Sequence, residues 1–73
     1  MGEESIRVVA IREGTIRLGQ FLKLADLIEA GGDAKALLAA ELVDVNGELE
    51  TRRGRQLSRG DVVTVGATSV RAG

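Results

Sequence analysis

The chain has no cysteine and no histidine, and Phe21 is its only aromatic residue. Without cysteine no disulfide can reinforce the fold. Without either residue, every zinc site built on His or Cys is excluded. This composition fits a reducing, cytoplasmic setting. The commonest catalytic bases and nucleophiles are also missing. Asp, Glu, Lys and Ser remain, but no paired arrangement among them stands out. The expectation is a protein without catalysis, cofactor or metal.

The scarcity of aromatics narrows the nucleic-acid classes. Phe21 falls in an apolar helical stripe, so modules that stack bases on exposed rings do not fit. There is no Gly-x-x-Gly, which removes the KH loop, and no Gly-x-x-x-x-Gly-Lys phosphate loop. Asp44-x-Asn46-x-Glu48 imitates the start of a calcium loop. Leu49 and Arg55 stand where that loop needs its glycine and its final glutamate. No apolar run is long enough to span a membrane. Met1 to Ile6 is acidic, unlike a signal peptide, and Ile6 fills the place where a myristoylation pattern needs Ser or Thr.

Seventy-three residues suit one domain. A chain of this size buries only about 60% of the surface that its unfolded form exposes, so its core is thin. Ten basic residues face eleven acidic ones, for a net charge of −1. The balance says little, but the distribution says more. From Asp26 to Glu50 there are seven acids and one lysine. From Thr51 to Gly60 there are four arginines and no acid. Charges segregated in this way can make a local positive surface on a near-neutral protein.

In chain order, Ile6, Val8, Val9 and Ile11 predict a strand between Ser5 and Arg12, ended by Glu13-Gly14. Thr15 is positioned to cap a helix beginning near Ile16. Leu18, Phe21, Leu22 and Ala25 recur at i, i+3, i+4 and i+7, one apolar stripe. Gln20 and Lys23 share another face, with Arg17 one turn earlier. Ala30-Gly31-Gly32 breaks the pattern, and Asp33 is a candidate N-cap for a second helix from Ala34 to about Ala40. Lys35 then falls in the first turn, where a cation opposes the helix dipole by roughly 0.3–1 kcal/mol at most. An anion bound at that helix start would give Lys35 a positive role.

Val43 to Thr51 reads as a hairpin around Asn46-Gly47. A two-residue turn sets Val45 opposite Glu48 and Val43 opposite Glu50. A three-residue loop sets Val45 opposite Leu49 and Val43 opposite Thr51. The second register gathers the larger apolar residues on one face and is the one expected. Arg52 to Arg59 is too polar and glycine-broken to look like core. Gly60-Asp61 turns into the strand Val62 to Val65, and Gly66-Ala67 turns into a short strand Thr68 to Val70. The order of one strand, two helices and a run of strands is α+β.

These motifs resemble a family. Arg17-Leu18 with Leu22, Ala34-Lys35, Leu37-Leu38, Val43-x-Val45-Asn46-Gly47 and Gly60-Asp61-Val62-Val63 look like the RNA-binding domain of small-subunit ribosomal protein S-four. The likeness covers about residues 16 to 65. Leu18 to Leu24 and Gly31-Gly32-x-Ala34-Lys35 look closer to the small stand-alone bacterial proteins of the YbcJ type. The resemblance implies an alpha-L type fold, two short helices packed on a small, mainly antiparallel sheet. It implies a partner in structured RNA, commonly ribosomal or transfer RNA, bound on a basic surface of the helices and first hairpin. Carried over by position, it favours Gln20, Lys23, Lys35, Asn46, Arg52, Arg53 and Arg55 as contacts, with Arg17 and Arg59 beside them. There are departures. Ala30 and Gly31 stand where the wider family has Ser-Arg, and Asp26 and Glu41 stand where it usually has glycine. The acids Glu48 and Glu50 flank the expected surface.

Each candidate has a plain structural reading beside the functional one. Asn46 and Gly47 suit a turn that needs positive φ. A charge run such as Arg52-Arg53-Gly54-Arg55 is often a solvated loop. Lying next to the hairpin, with Lys23 and Lys35 on helices, it weighs toward phosphate contact. The reading is a monomeric, non-catalytic RNA-binding module without a membrane partner. A protein–protein adaptor using a sheet edge or the Leu/Ala-rich helix faces is the alternative. A ubiquitin-like sulfur carrier is a distant third, since the chain ends Arg71-Ala72-Gly73 rather than Gly-Gly.

Overall fold

The computed structural model describes residues 6–29 and 31–73. The element order is β1 (Arg7–Val9), β2 (Thr15–Arg17), α1 (Leu18–Leu24), α2 (Gly31–Ala39), β3 (Val43–Val45), β4 (Glu48–Leu49), β5 (Gln56–Ser58), β6 (Val62–Val65) and β7 (Thr68–Ala72). The main sheet has five strands in the order β1-β7-β6-β3-β4, and β2 with β5 forms a separate two-stranded ribbon. All pairings are antiparallel except β1 with β7. Two helices on a mostly antiparallel sheet is the α+β architecture that the sequence implied. Among the described residues, no helix is long and apolar enough to cross a membrane.

The apolar stripe of α1 seeds the core. Leu18, Phe21, Leu22 and Ala25 are all fully buried, against Ala34 and Leu38 of α2 and Val43, Val45, Val63 and Val70 of the sheet. Burying each large side chain contributes about 1.5–3 kcal/mol.

Helix starts differ from the sequence expectation. Thr15 does not cap a helix at Ile16, because Thr15–Arg17 pairs as a strand with Ser58, Leu57 and Gln56. The helix begins at Leu18, and Arg17 at its N-cap makes no side-chain cap. The first amides of a helix need acceptors from elsewhere. Here Leu18 N donates to the Arg55 carbonyl at 2.8 Å and Gly19 N to the Arg53 carbonyl at 2.9 Å. The second helix begins at Gly31, so Asp33 lies in its first turn rather than at the N-cap. Its charge there complements the helix dipole. Lys35 consequently stands beyond the first turn, and the dipole penalty expected for it fades. The strand start at Ser5 and the break at Ala30 lie outside the described residues.

Both helices end alike. Asp26 N donates to Lys23 O and Leu27 N to Leu22 O; Glu41 N donates to Leu38 O and Leu42 N to Leu37 O. Asp26 and Glu41 have φ of 63° and 61°. This is the double bond pattern of a Schellman ending, with an acidic residue at the left-handed position that glycine usually fills.

The hairpin register is corrected. Val45 faces Glu48 and Asp44 faces Leu49, the register of a two-residue turn. Asn46 and Gly47 take φ of 54° and 86°. Two successive positive φ values make the turn whose twist matches the strands. The apolar count argued the other way, and local turn geometry prevailed. Leu49 is left 51% exposed while Glu50 is turned inward, only 5% exposed.

The arginine-rich stretch is also corrected. Gln56–Ser58 is a strand, and Leu57 is fully buried. One leucine between polar neighbours suffices, because alternate strand residues point to opposite faces. The last strand extends to Ala72, beyond the expected Val70, because Ala72 is buried as well.

Candidate nucleic-acid interface

The two carbonyls that complete the start of α1 belong to the loop 51–55. That loop is therefore laid across the N-terminal end of α1. Gly19 permits the approach: a Cβ built there would lie 2.6 Å from Arg53 Cγ. The result is an open concavity of about 530 Å³ between the helices and the loop, lined by Arg17, Gly19, Gln20, Lys23, Ala34, Arg53 and Gly54. A neighbouring hollow of about 430 Å³ is lined by Lys35, Leu38, Ala39, Glu41, Thr51 and Arg53. Arg53 belongs to both. Arg17, Gln20, Lys23, Lys35 and Arg53, all singled out in the sequence, thus face adjoining hollows.

The other candidates are held by protein groups. Asn46 Nδ2 donates to Asp61 Oδ1 at 3.1 Å, and its Oδ1 accepts from Val62 N at 2.9 Å. Arg59 Nη2 donates to the Ile11 carbonyl at 2.9 Å. Arg52 and Arg55 are bound by Glu50. Glu50 Oε2 accepts from Thr51 N, Arg52 N and Arg52 Nε at 2.9–3.0 Å. Oε1 accepts from Arg52 Nη2 at 3.2 Å and Arg55 Nη1 at 3.0 Å. These donors, the Arg52 guanidinium first, hold the Glu50 carboxyl far below its ordinary range, and Arg52 is raised in turn. Neither hollow is lined by Asn46, Arg52, Arg55 or Arg59.

No ion pair joins Arg17, Lys23, Lys35 or Arg53 to an acid among the described residues, where only Arg52 and Arg55 are paired, both with Glu50. The first hollow is lined by Arg17, Lys23 and Arg53 with no acid among its lining residues, and the second sets Lys35 and Arg53 beside Glu41. Such a surface can neutralise phosphates and hydrogen-bond their oxygens.

Sequence reasoning passed over the parts that shape this surface. Glu50 looked like an acid opposing the site, yet it organises the loop. The signal was an acid two residues before the first arginine of the run. Gly19 gave no sign, because its role depends on a loop more than thirty positions away in sequence.

Comparison with known proteins agrees with the motifs. The model of the S4 domain matches residues 9–72. The probable ribosome maturation protein RlbA of Bacillus subtilis (strain 168) is 53% identical over 57 residues, covering 78% of this chain and 80% of that protein. With a match across nearly all of the folded chain and a relative this similar, the chain belongs to the S4 domain family.

Proposed function

We propose that this protein is a non-catalytic RNA-binding module that recognises folded RNA through the hollows around Arg53, and that its RNA is ribosomal. The observation that carries the reading is the gathering of Arg17, Lys23 and Arg53, with Gln20, around one hollow whose lining holds no acid, with Lys35 in the adjoining one. Cations on a concave, ring-free surface suit phosphates and helix shape rather than stacked bases. Membership of the S4 domain family and the ribosome maturation name of the similar Bacillus protein support the ribosomal assignment. Transfer RNA is the competing substrate within the same chemistry.

The test is filter binding of the whole chain to purified ribosomal RNA, bulk transfer RNA and a DNA duplex, at low and physiological salt. The Arg17→Glu/Lys23→Glu/Arg53→Glu triple variant runs beside it. The expected result is a preference for ribosomal RNA, weakened by salt and abolished in the variant. Equal binding to RNA and DNA would reduce the surface to a polyanion patch. Absence of binding at low salt would overturn the reading.

A second reading rests on a separate feature. Val8 and Leu49 are 56% and 51% exposed on the edge strands β1 and β4. An exposed edge with apolar side chains suits pairing with another protein. A partner that resists nuclease and survives the triple substitution would favour this adaptor reading.

A further inference from the structure

We infer that Glu50 is a positioning residue for RNA binding, which clamps Arg52 and Arg55 internally so that Arg53 alone is the loop's phosphate contact. This rests on the RNA-binding reading above.

Three arginines in four positions look interchangeable in the sequence. The structure separates them. Arg52 and Arg55 both reach Glu50, at 3.0 Å in each case. The Arg55 side chain is largely enclosed, with 29% exposed. Arg52 is 73% exposed, but its Nε and Nη2 are turned to the carboxylate. Arg53 lies between them and is not among the donors to the Glu50 carboxylate. Its carbonyl accepts from Gly19 N, its side chain lies over Gly19, and it lines both hollows.

Glu50 can do this because of where the hairpin leaves it. Its amide donates to the Val43 carbonyl at 2.9 Å, extending the pairing one residue past β4. It therefore points to the same side as Val43 and Val45, toward the core. An unpaired carboxylate there would be strongly unfavourable. Five donors, two of them backbone amides at the bend of the chain, offset that burial. The same bonds set the direction in which the loop leaves the hairpin. They thereby fix where Arg53 arrives over Gly19.

The inference opposes simple charge counting. Replacing an acid on a basic face should strengthen binding to a polyanion. If Glu50 is a positioning residue, Glu50→Gln should weaken binding to ribosomal RNA. It also releases Arg52 and Arg55, so attraction to DNA should not fall.

The experiment measures affinity for purified ribosomal RNA and a DNA duplex, over a range of salt, for the native chain, Glu50→Gln, Arg53→Gln and the double variant. Melting curves accompany each. Glu50→Gln is expected to lose roughly tenfold in affinity for ribosomal RNA, the size of one charge-assisted contact. Its DNA affinity should hold or rise. In the Arg53→Gln background, the same change should have much less effect, because residues that act through one another are not additive. A purely structural role would lower both affinities and would not depend on Arg53. Ribosomal RNA binding by Glu50→Gln at native strength or tighter would overturn the inference, as would losses that simply add. If Glu50→Gln melts below the assay temperature, Arg52→Gln and Arg53→Gln carry the test alone. Arg53→Gln should lower the salt slope by about one and Arg52→Gln by clearly less. Equal losses would overturn the assignment. A native chain that binds no RNA removes the RNA-binding reading itself, a result visible before any substitution is made.

Discussion

Asn46 and Asp61, fifteen residues apart, are locked to each other by a side-chain bond of 3.1 Å. Each also accepts from a backbone amide of the 58–62 segment. Asn46 accepts from Val62 N at 2.9 Å and Asp61 accepts from Ser58 N at 2.8 Å. The Val-x-Val-Asn-Gly and Gly-Asp motifs are therefore one structural unit, which joins the β3–β4 turn to the start of β6. Hydrogen bonding from Ser58 and then Asn46 lowers the Asp61 carboxyl below its ordinary range.

Asn46→Ala should consequently destabilise the fold by about 1–3 kcal/mol. It removes two bonds and places alanine at positive φ. Asp61→Ala should lose a similar amount. The double variant should lose less than the sum, because the two changes break one shared bond. Urea unfolding of the four proteins measures this. Additive losses would separate the two motifs.

The helix endings give a change in the opposite direction. Asp26 and Glu41 hold left-handed backbone at φ of 63° and 61°. An L-residue there is disfavoured by about 1–2 kcal/mol relative to glycine. Asp26→Gly and Glu41→Gly should each raise stability by about 1 kcal/mol, measured by thermal melting. No gain in either would mean that the carboxylates make compensating contacts.

Gly19→Ala tests the fit between α1 and the basic loop. The new Cβ would lie 2.6 Å from Arg53 Cγ and 3.2 Å from Cδ. The arginine side chain can swing away, so stability should fall by less than about 1 kcal/mol. RNA affinity should fall more, because the displaced group is the proposed contact. Binding and melting measured on one preparation separate the two effects. Native affinity in this variant would argue that Arg53 does not need its place over Gly19.

Much of this arrangement was legible in the sequence, for identifiable reasons. The α1 stripe needs only helical periodicity, and Leu18, Phe21, Leu22 and Ala25 are all buried. Asn46-Gly47 needs only local turn chemistry. Gln20, Lys23 and Lys35 follow from the helices that carry them, whereas Arg17, expected on the first helix, ends β2 instead. What escaped depends on contacts distant in sequence. Thr15–Arg17 becomes a strand because Gln56–Ser58 lies beside it. Counting apolar residues across the hairpin misplaced Leu49 and Glu50, because a buried acid with arginine partners is invisible to such a count. Charge density alone also could not divide Arg53 from Arg52 and Arg55.

The same buried acid should set the acid limit of the fold. Glu50 has an ordinary value of 4.5 and is held far below it in the folded protein. The unfolded chain therefore takes up a proton on Glu50 at a pH where the folded chain does not. The stabilisation is fully present above about pH 5.5. It is lost progressively as the pH falls through 4.5 toward the folded value. Asp61 is lowered as well and adds loss in the same direction. Melting temperature should be flat near neutrality and drop steeply below about pH 4.5. Glu50→Gln lowers stability at neutral pH, where the carboxylate would be charged and paired. The variant and the native chain should converge as the pH falls. A constant gap between their melting curves from pH 7 to pH 3 would show that Glu50 contributes by packing rather than as a charge held by Arg52 and Arg55.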